Sequence, residues 1–259
     1  FNNDNLADVF ITQDFGTSQL YKNNGDGSFT NVTKRMGLTV YGTGMGVSIS
    51  DVNQDGYWDL LVTTGNKNQL WINQKGRYFI NKIDDFKLAD KQRFGWGVAP
   101  IDFKNNAKPA YFIVNGVTAT GRDLNSYQKI INRVYGINQF YINNSLTGFR
   151  NMSKKYNLYN DMISRGLAIG DLNNDGQLDL VISNRDNKAQ MIVYKNNNLK
   201  NHFLKVQLNG AKDINRMAIG TKVSIYINGK VQHKLLNAGR SFLSQHSPIL
   251  HYGLGKSLK

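Results

Sequence analysis

The sequence predicts an all-β chain: about four β-propeller blades, part of a larger ring, followed by a small C-terminal β-sandwich-like domain. Three observations predict this fold. An aspartate-rich loop recurs along the chain, a glutamine–aromatic pair recurs with nearly the same spacing, and a short apolar run follows each intact loop. A unit of about 50 residues that contains several short strands is typical of a propeller blade.

The aspartate loop has two intact copies, at 51–59 and 171–179, with the pattern Asp-x-Asn-x-Asp-Gly-x-x-Asp. Side-chain oxygens at positions 1, 3, 5 and 9 and the carbonyl at position 7 can converge on one hard cation, and calcium accepts six to eight oxygen ligands. The glycine permits the sharp turn that this requires. We therefore predict about two calcium ions. The predicted ligands are Asp51, Asn53, Asp55, Tyr57 and Asp59 in one loop and Asp171, Asn173, Asp175, Gln177 and Asp179 in the other.

A polar β-turn, in which Asn, Asp and Gly make local hydrogen bonds, is the alternative for both loops. A degenerate copy at 102–110 is not expected to bind calcium. There Lys104 replaces a ligand, Ala107 replaces the glycine and Ala110 replaces the final acid. One hypothesis is that the Lys104 ammonium occupies the position of the ion.

A weaker site is predicted at the start of the chain, with Asn2, Asp4 and Asp8 as ligands. These residues align with positions 3, 5 and 9 of the intact loops, but Asn5 stands where the glycine belongs. The alignment places Phe1 inside a repeat, so we expect further blades that this chain does not contain.

A second landmark accompanies the loops. It is a glutamine followed two residues later by an aromatic: Gln19-Leu-Tyr21, Gln69-Leu-Trp71 and Gln139-Phe-Tyr141. The copies of both landmarks are separated by about 50 and then about 70 residues. A glycine also precedes each of the last three loops by five positions: Gly46, Gly97 and Gly166. Landmarks that shift together indicate a true repeat.

The landmarks divide the chain into blade units at about 1–45, 46–96, 97–165 and 166–198, followed by a β domain at 199–259. The third unit carries an insertion at about 115–138. Its apolar residues Leu124, Tyr127, Ile131 and Val134 have helical spacing, with Asp123 as a possible N-cap and Gly136 as a stop. Such an insertion either builds a binding surface or covers an exposed blade edge.

The composition is compatible with anionic partners and excludes several kinds of site. The net charge is +14, which is compatible with an anionic polymer as partner, but the basic residues are scattered and a general lysine- and asparagine-rich bias is the favoured explanation. There is no cysteine, so disulfides, thiolate metal sites and a catalytic thiol are excluded. No apolar stretch approaches the 18 residues of a transmembrane segment.

No catalytic or cofactor-binding residue is predicted. The four histidines, His202, His233, His246 and His251, all lie in the C-terminal domain, and none forms a His-x-x-x-His pair. Metal binding or general-base chemistry is conceivable for them, but capping and surface roles are favoured. No Gly-x-Ser-x-Gly elbow occurs. The chain is therefore predicted not to be an enzyme.

Residues 1 to about 198 resemble the FG-GAP/VCBS repeat family, chiefly through the two intact loops. The C-terminal part is similar to the ASPIC/UnbV domain. The segments that carry this second resemblance are Asn201–Leu204, Asn215–Gly220, Gly239–Gln245 and Tyr252–Gly255. The two resemblances together imply a secreted, periplasmic or cell-surface protein with a role in adhesion or matrix binding, and no established catalytic residues.

The function predicted from these observations is binding: a calcium-binding propeller that recognises a protein, a glycan or an anionic polymer, but no specific nucleic acid. One alternative is an envelope enzyme or accessory subunit with its active site in the propeller channel or in missing blades. Another is a structural subunit of a surface assembly, which would expose a large apolar patch on the insertion or on the C-terminal domain.

Overall fold

The computed structural model describes residues 1–38, 41–89, 93–117, 136–144, 148–158, 160, 162–185, 190–198, 201–212, 215–227 and 229–256. Within these ranges the regular elements are all β-strands. No helix in this part of the chain is long and apolar enough to cross a membrane. The helix predicted in the insertion, from Asp123 to Val134, lies outside the described residues.

The strands of the repeat region are β1 (Val9–Ile11), β2 (Gly16–Thr17), β3 (Gln19–Asn23), β4 (Phe29–Asn31), β5 (Tyr41–Gly42), β6 (Gly44–Ser50), β7 (Asp59–Thr64), β8 (Gln69–Asn73), β9 (Phe79–Asn81), β10 (Gly95–Ile101), β11 (Ala110–Asn115), β12 (Gln139–Asn144), β13 (Gly148–Asn151), β14 (Ser164–Gly170), β15 (Asp179–Asn184) and β16 (Ile192–Tyr194). The C-terminal strands are β17 (His202–Val206), β18 (Lys222–Ile227), β19 (Lys230–Leu235) and β20 (Leu250–Gly255).

Four antiparallel sheets follow one another along the chain, in the orders β1-β3-β4, β6-β7-β8-β9, β10-β11-β12-β13 and β14-β15-β16. Each is an up-and-down meander, and β10 lies between β6 and β14 of the neighbouring sheets. Sheets whose first strands lie side by side around a centre are propeller blades. The predicted all-β propeller fold is confirmed, and β1 of the first sheet occupies the place of β7 in the second.

The blades stack because alternate residues of one strand point to opposite faces. In β7, Leu60 and Val62 pack with Leu20 of the first blade, whereas Leu61 packs with Tyr111 of the third. Every residue of β7 is buried. A central strand that is covered on both faces is apolar throughout, which explains the continuous apolar runs after the loops.

The glutamine–aromatic landmark has a structural explanation. Residues two apart in a strand share a face, and Trp71 Nε1 donates a hydrogen bond of 3.0 Å to Gln69 Oε1. Gln139 Nε2 donates to Tyr141 Oη at 2.9 Å. The pair therefore joins two polar groups on one face of the third strand of its blade.

The C-terminal domain consists of two two-stranded antiparallel sheets, β17–β20 and β18–β19. They share one small core, in which Leu236, Leu250 and Tyr252 are buried and Val223 and Ile225 pack against them. The Tyr252 hydroxyl donates to the carbonyl of Val223 at 3.0 Å and so joins the two sheets. This arrangement agrees with the predicted sandwich-like unit.

Candidate functional site

The intact loop at 51–59 is organised by its first acid. Asp51 Oδ1 accepts the backbone N–H of Asp55 at 3.0 Å, and Asp51 Oδ2 accepts that of Gly56 at 2.9 Å. Asp55 Oδ1 accepts the N–H of Tyr57 at 2.9 Å, and Asn53 Nδ2 donates to Asp55 Oδ2 at 3.0 Å. Gly56 has a φ of +87°, a left-handed conformation that favours glycine. These contacts draw the oxygens at positions 1, 3 and 5 together.

The loop at 171–179 repeats the same network. Asp171 accepts the N–H groups of Asp175 and Gly176, each at 3.0 Å. Asp175 accepts the N–H of Gln177 at 2.9 Å, and Asn173 Nδ2 donates to Asp175 at 2.8 Å. Two loops that are about 120 residues apart in the chain thus reach the same geometry from the same residue pattern.

The acid at position 9 has a role that the sequence reasoning missed. Asp59 is fully buried; its Oδ2 accepts the N–H of Val52 and its Oδ1 accepts that of Asn73, both at 2.8 Å. Asp179 makes the equivalent bonds to Leu172 and Asn196. This acid joins the loop to the third strand of its blade. The available signal was the asparagine that recurs four or more residues after the start of each third strand.

The position 9 acid therefore has a structural reason to be present without a metal ion. Each carboxylate oxygen has more than one lone pair, so the hydrogen bonds and cation binding are compatible. The ligand predictions for position 9 remain predictions.

The chemistry of the loop fits a hard dication. Burial, with smaller contributions from the charges of Asp51 and Asp55, raises the pKa of Asp59 to about 7. Burial also raises the pKa of Asp51, with a contribution from Asp55. A cation shared by the loop oxygens would offset the repulsion that helps to raise the pKa of Asp51 and of Asp59. Within the described residues no group of three or more His, Cys, Asp and Glu has metal-binding geometry, so amide and carbonyl oxygens would have to complete the site.

The two degenerate loops keep the turn but lose the set of acids. Asp102 accepts the N–H groups of Asn106 and Ala107 at 2.9 and 2.7 Å. Ala107 retains the positive φ of the glycine that it replaces, at +61°. Lys104 lies against the ring of Phe103, with Nζ 5.1 Å from its centroid, rather than inside the loop. The positive charge that acts on Asp102 belongs to Lys234 of the C-terminal domain.

In the first loop, Asn2 Nδ2 donates to Asp4 at 2.8 Å. Asp8 accepts the N–H of Asn23 at 3.0 Å, and this hydrogen bond is equivalent to the one between Asp59 and Asn73. Its other oxygen lies 2.7 Å from the backbone nitrogen of Phe1. Asn5 adopts the left-handed conformation of the missing glycine, with a φ of +65°.

The aspartate loops lie on the propeller face that contacts the C-terminal domain. Lys205 Nζ donates to Asp171 Oδ2 at 2.8 Å, and Lys222 Nζ donates to the carbonyl of Gly56 at 2.9 Å. His251 Nε2 lies 2.9 Å from the carbonyl oxygen of Gly176. Both intact loops are therefore partly covered by cationic or polar groups of the second domain.

A C-terminal segment, 239–247, enters the propeller itself. Ser241 pairs with Val47 of β6. The Ser241 hydroxyl accepts the N–H of Val98 in β10, and the Ser244 hydroxyl accepts that of Leu167 in β14, each at 3.0 Å. The ring of Phe242 packs on the indole ring of Trp96, with centroids 5.0 Å apart. We call 239–247 the plug segment, since it crosses the innermost strands where the channel of a propeller lies.

The plug segment explains the recurring glycine before each loop. A Cβ on Gly97 would lie 2.9 Å from Ser241 Oγ and 2.9 Å from Leu167 Cβ. A Cβ on Gly166 would lie 3.0 Å from Ser244 Oγ, and one on Gly46 would overlap the carbonyl oxygen of Trp96. Only glycine permits this approach of neighbouring inner strands and the segment between them.

The structure corrects the expectation for two of the histidines. His202 and His233 are exposed or half-buried, but His246 and His251 are each only 4% exposed. Surface roles are wrong for this pair because the domain docks through the segments that carry them. Sequence periodicity within the domain contained no information about that docking.

Two segments of the chain match known protein families. Residues 1–62 match the FG-GAP-like repeat family, and residues 211–259 match the ASPIC and UnbV family. The predicted resemblance to both is confirmed, in the predicted order along the chain.

Over nearly its whole length the chain is also similar to cartilage acidic protein 1. It is 28% identical to that protein of Xenopus tropicalis over 265 residues, which cover 98% of this chain and 38% of the relative. It is 25% identical to the Homo sapiens protein over 264 residues, which cover 96% of this chain and 37% of the relative. The chain thus spans well under half the length of these curated relatives.

Proposed function

We propose that this chain is an extracellular binding module: a calcium-stabilised set of propeller blades, with a docked C-terminal domain, that binds an anionic polymer. A secreted, periplasmic or cell-surface location is part of the proposal. Its support is the FG-GAP-like and ASPIC/UnbV organisation and the similarity to cartilage acidic protein 1.

Calcium has a stabilising role in this proposal. The ion neutralises the acids that are crowded in the loop at 51–59. In both intact loops the position 9 acid connects the loop to the third strand of its blade. A ligand that binds only the folded state lowers its free energy by mass action. Extracellular calcium modules are tuned to dissociation constants of about 0.1–1 mM, which match a calcium-rich compartment.

The main support for an anionic ligand is a groove of about 430 Å³ along β13 and the turn that follows it. We call it the basic groove. Its cationic lining residues are Arg93, Arg150, Lys154 and Lys155, and amides and hydroxyls supply the remaining polar lining. No acidic side chain lines it among the residues that the structure describes. A concave surface with one sign of charge attracts a polyanion, in keeping with the net charge of +14.

An enzyme with its active site in the propeller channel requires an open channel, and the contacts of the plug segment weigh against that form of the enzyme alternative. Ser241 and Ser244 are hydrogen-bonded to β10 and β14 at the position where a channel site would lie. The edge of β1, by contrast, supports the proposal of further blades. Val9 and Ile11 are 41% and 45% exposed there, and an exposed apolar strand edge favours pairing with another strand.

This function can be tested by measuring how the chain binds to an array of sulfated and carboxylated polysaccharides, neutral glycans and proteins. The binding is measured first with calcium and then with a chelator. We expect selective binding to the polyanions, weakening as salt rises. Neutralising two groove charges (Lys154→Gln and Lys155→Gln) should weaken binding about tenfold or more.

The matched control is Lys34→Gln with Arg35→Gln. Lys34 and Arg35 occupy the equivalent turn of the first blade and are equally exposed. Equal loss in both variants would mean that only net charge matters. Binding to neutral glycans or to a protein, unaffected by the groove variant, would overturn the polymer proposal.

A further inference from the structure

A cavity of about 140 Å³ lies between the propeller and the C-terminal domain. Strand β19 and the segment 246–251 form one wall, and the aspartate-loop face of the blades forms the other. Much of the lining is apolar, with Ile49, Ile101, Ile169, Leu178 and Leu235 among the lining residues. Small-molecule sites are typically concave, mostly apolar and equipped with a few convergent polar groups.

Two buried histidines present unsatisfied groups at this cavity. His246 is 4% exposed, and neither of its ring nitrogens has a hydrogen-bond partner among the described residues. His251 uses Nε2 on the carbonyl of Gly176, but its buried Nδ1 has no partner. Because buried polar groups are nearly always paired, an unpaired imidazole that lines a cavity indicates a missing partner.

The cavity is also lined by cationic groups whose N–H donors are not all used in hydrogen bonds within the described residues. Lys234 lines it, lies 5.2 Å from the ring centroid of Tyr252, and donates no hydrogen bond within the described residues. Arg240 is held by Asn237 Oδ1 and the carbonyl of Leu235, which use only part of its donor capacity.

The acids at the same cavity are better satisfied. Both oxygens of Asp102 accept backbone N–H groups, at 2.9 and 2.7 Å. Both oxygens of Asp51 do so as well, at 3.0 and 2.9 Å. The donors that remain are on Lys234, Arg240 and the protonated ring nitrogen of His246, whereas His251 Nδ1 is an acceptor because Nε2 carries the proton. At the Lys234 side of the cavity a ligand that supplies acceptors and negative charge therefore fits better than a cation.

We infer that this interdomain cavity binds a small organic carboxylate, with its carboxylate at Lys234 and His246 and its apolar body against the isoleucine and leucine side chains. A dry cavity of about 150 Å³ accommodates benzene, so the ligand has about six non-hydrogen atoms. The inference is independent of calcium and of the basic groove. A ligand bound here contacts both domains and stabilises their docking.

Butyrate and butyramide test the inference, because they have the same size and shape and differ in charge. Their binding to the full chain is measured by isothermal titration calorimetry and by ligand-observed NMR. We expect butyrate to bind at least about tenfold more tightly than butyramide, since a charge-assisted hydrogen bond to a buried lysine contributes about that factor.

Lys234→Met removes the charge and keeps the apolar stem, and it should reduce butyrate binding to the level of butyramide. Lys230→Met is the matched control, because Lys230 is exposed on the same hairpin. Should Lys234→Met not fold, a crystal structure of the unmodified chain grown with butyrate decides the matter. Carboxylate density within hydrogen-bond distance of Lys234 Nζ and His246 supports the inference. Equal affinity for both probes, or ordered water alone in the cavity, overturns it.

Discussion

Ser241 of the plug segment and Val47 of the innermost strand β6 form a β-bridge, although 194 positions separate them in the sequence. The N–H of Ser241 donates to the carbonyl of Val47 at 3.0 Å, and the N–H of Val47 donates back at 3.4 Å. The C-terminal domain is thus bonded into the centre of the propeller rather than tethered beside it. Four of the predictions below follow from this docking or from the loops that it covers.

Gly46→Ala should destabilise the fold by about 2 kcal/mol or more, because its Cβ would overlap the carbonyl oxygen of Trp96 on the next inner strand. Gly170→Ala is the matched control on an inner strand. Its Cβ would meet Ser247 Cβ at 3.4 Å and Leu172 Cδ2 at 4.0 Å, which are both ordinary contacts. Urea denaturation of both variants measures the difference. Equal midpoints would contradict the proposed close approach of the inner strands.

Ser244→Ala should cost about 1–3 kcal/mol, because it leaves the N–H of Leu167 without its acceptor in the channel. Ser241→Ala should have a similar cost through the N–H of Val98. Ser28→Ala, in an exposed turn, is the control. Thermal unfolding provides the measurement. If both plug variants unfold at the same temperature as the control, the plug segment is not docked as described.

His246 should contribute stability that is lost in mild acid, whereas the raised pKa of Asp59 acts in the opposite direction over the same pH range. Burial, with a smaller contribution from Arg240, lowers the pKa of His246 to about 4. The unfolded chain has a histidine pKa of about 6.5 and binds more protons between these values. This contribution is therefore present above about pH 6.5 and is lost as the pH falls toward 4, with an upper limit of about 3 kcal/mol.

His246→Gln should remove this contribution, so that its stability relative to the unmodified chain rises as the pH falls from 7 to 4.5, whereas His202→Gln should show no such trend because His202 is exposed. Denaturation free energies at pH 7, 5.5 and 4.5 give the slopes. A His246→Gln slope as steep as that of the unmodified chain would show that another group titrates.

Lys205→Met should raise the calcium affinity of the loop at 171–179 about three- to fivefold. Lys205 Nζ lies 2.8 Å from Asp171 Oδ2, so its charge opposes a cation in that loop, and a partly exposed pair of this kind contributes up to about 1 kcal/mol. The loop at 51–59 has no lysine on its first acid in the described contacts and should keep its affinity. Calcium titrations of both chains make the comparison. An unchanged or weaker second site would contradict this interpretation.

The repeat units were predictable because they depend on local pattern. Two apolar faces per central strand produce runs such as Leu60-Leu61-Val62, and residues two apart produce the Gln69–Trp71 pair. The loop geometry was equally predictable, since Asp51 bonds only to residues four and five positions later.

The docking was not predictable from one sequence. Ser241 contacts Val98, and Lys205 contacts Asp171, but these residues are far apart in the sequence and no repeat pattern relates them. For the same reason Gly46, Gly97 and Gly166 could be seen to recur but not explained, and His246 could not be recognised as buried. The hydrogen bond between Asp59 and the N–H of Asn73 could have been predicted only by noticing that both residues recur together in the repeats.

Calcium stoichiometry tests the central claim most directly, by isothermal titration calorimetry of the full chain with Asp55→Asn, Asp175→Asn and the exposed turn variant Asp26→Asn as control. We predict about two ions per chain, loss of one with each of the first two substitutions, and no loss with the control. No binding heat, or binding that survives both loop substitutions together, would contradict the account of these loops as calcium sites.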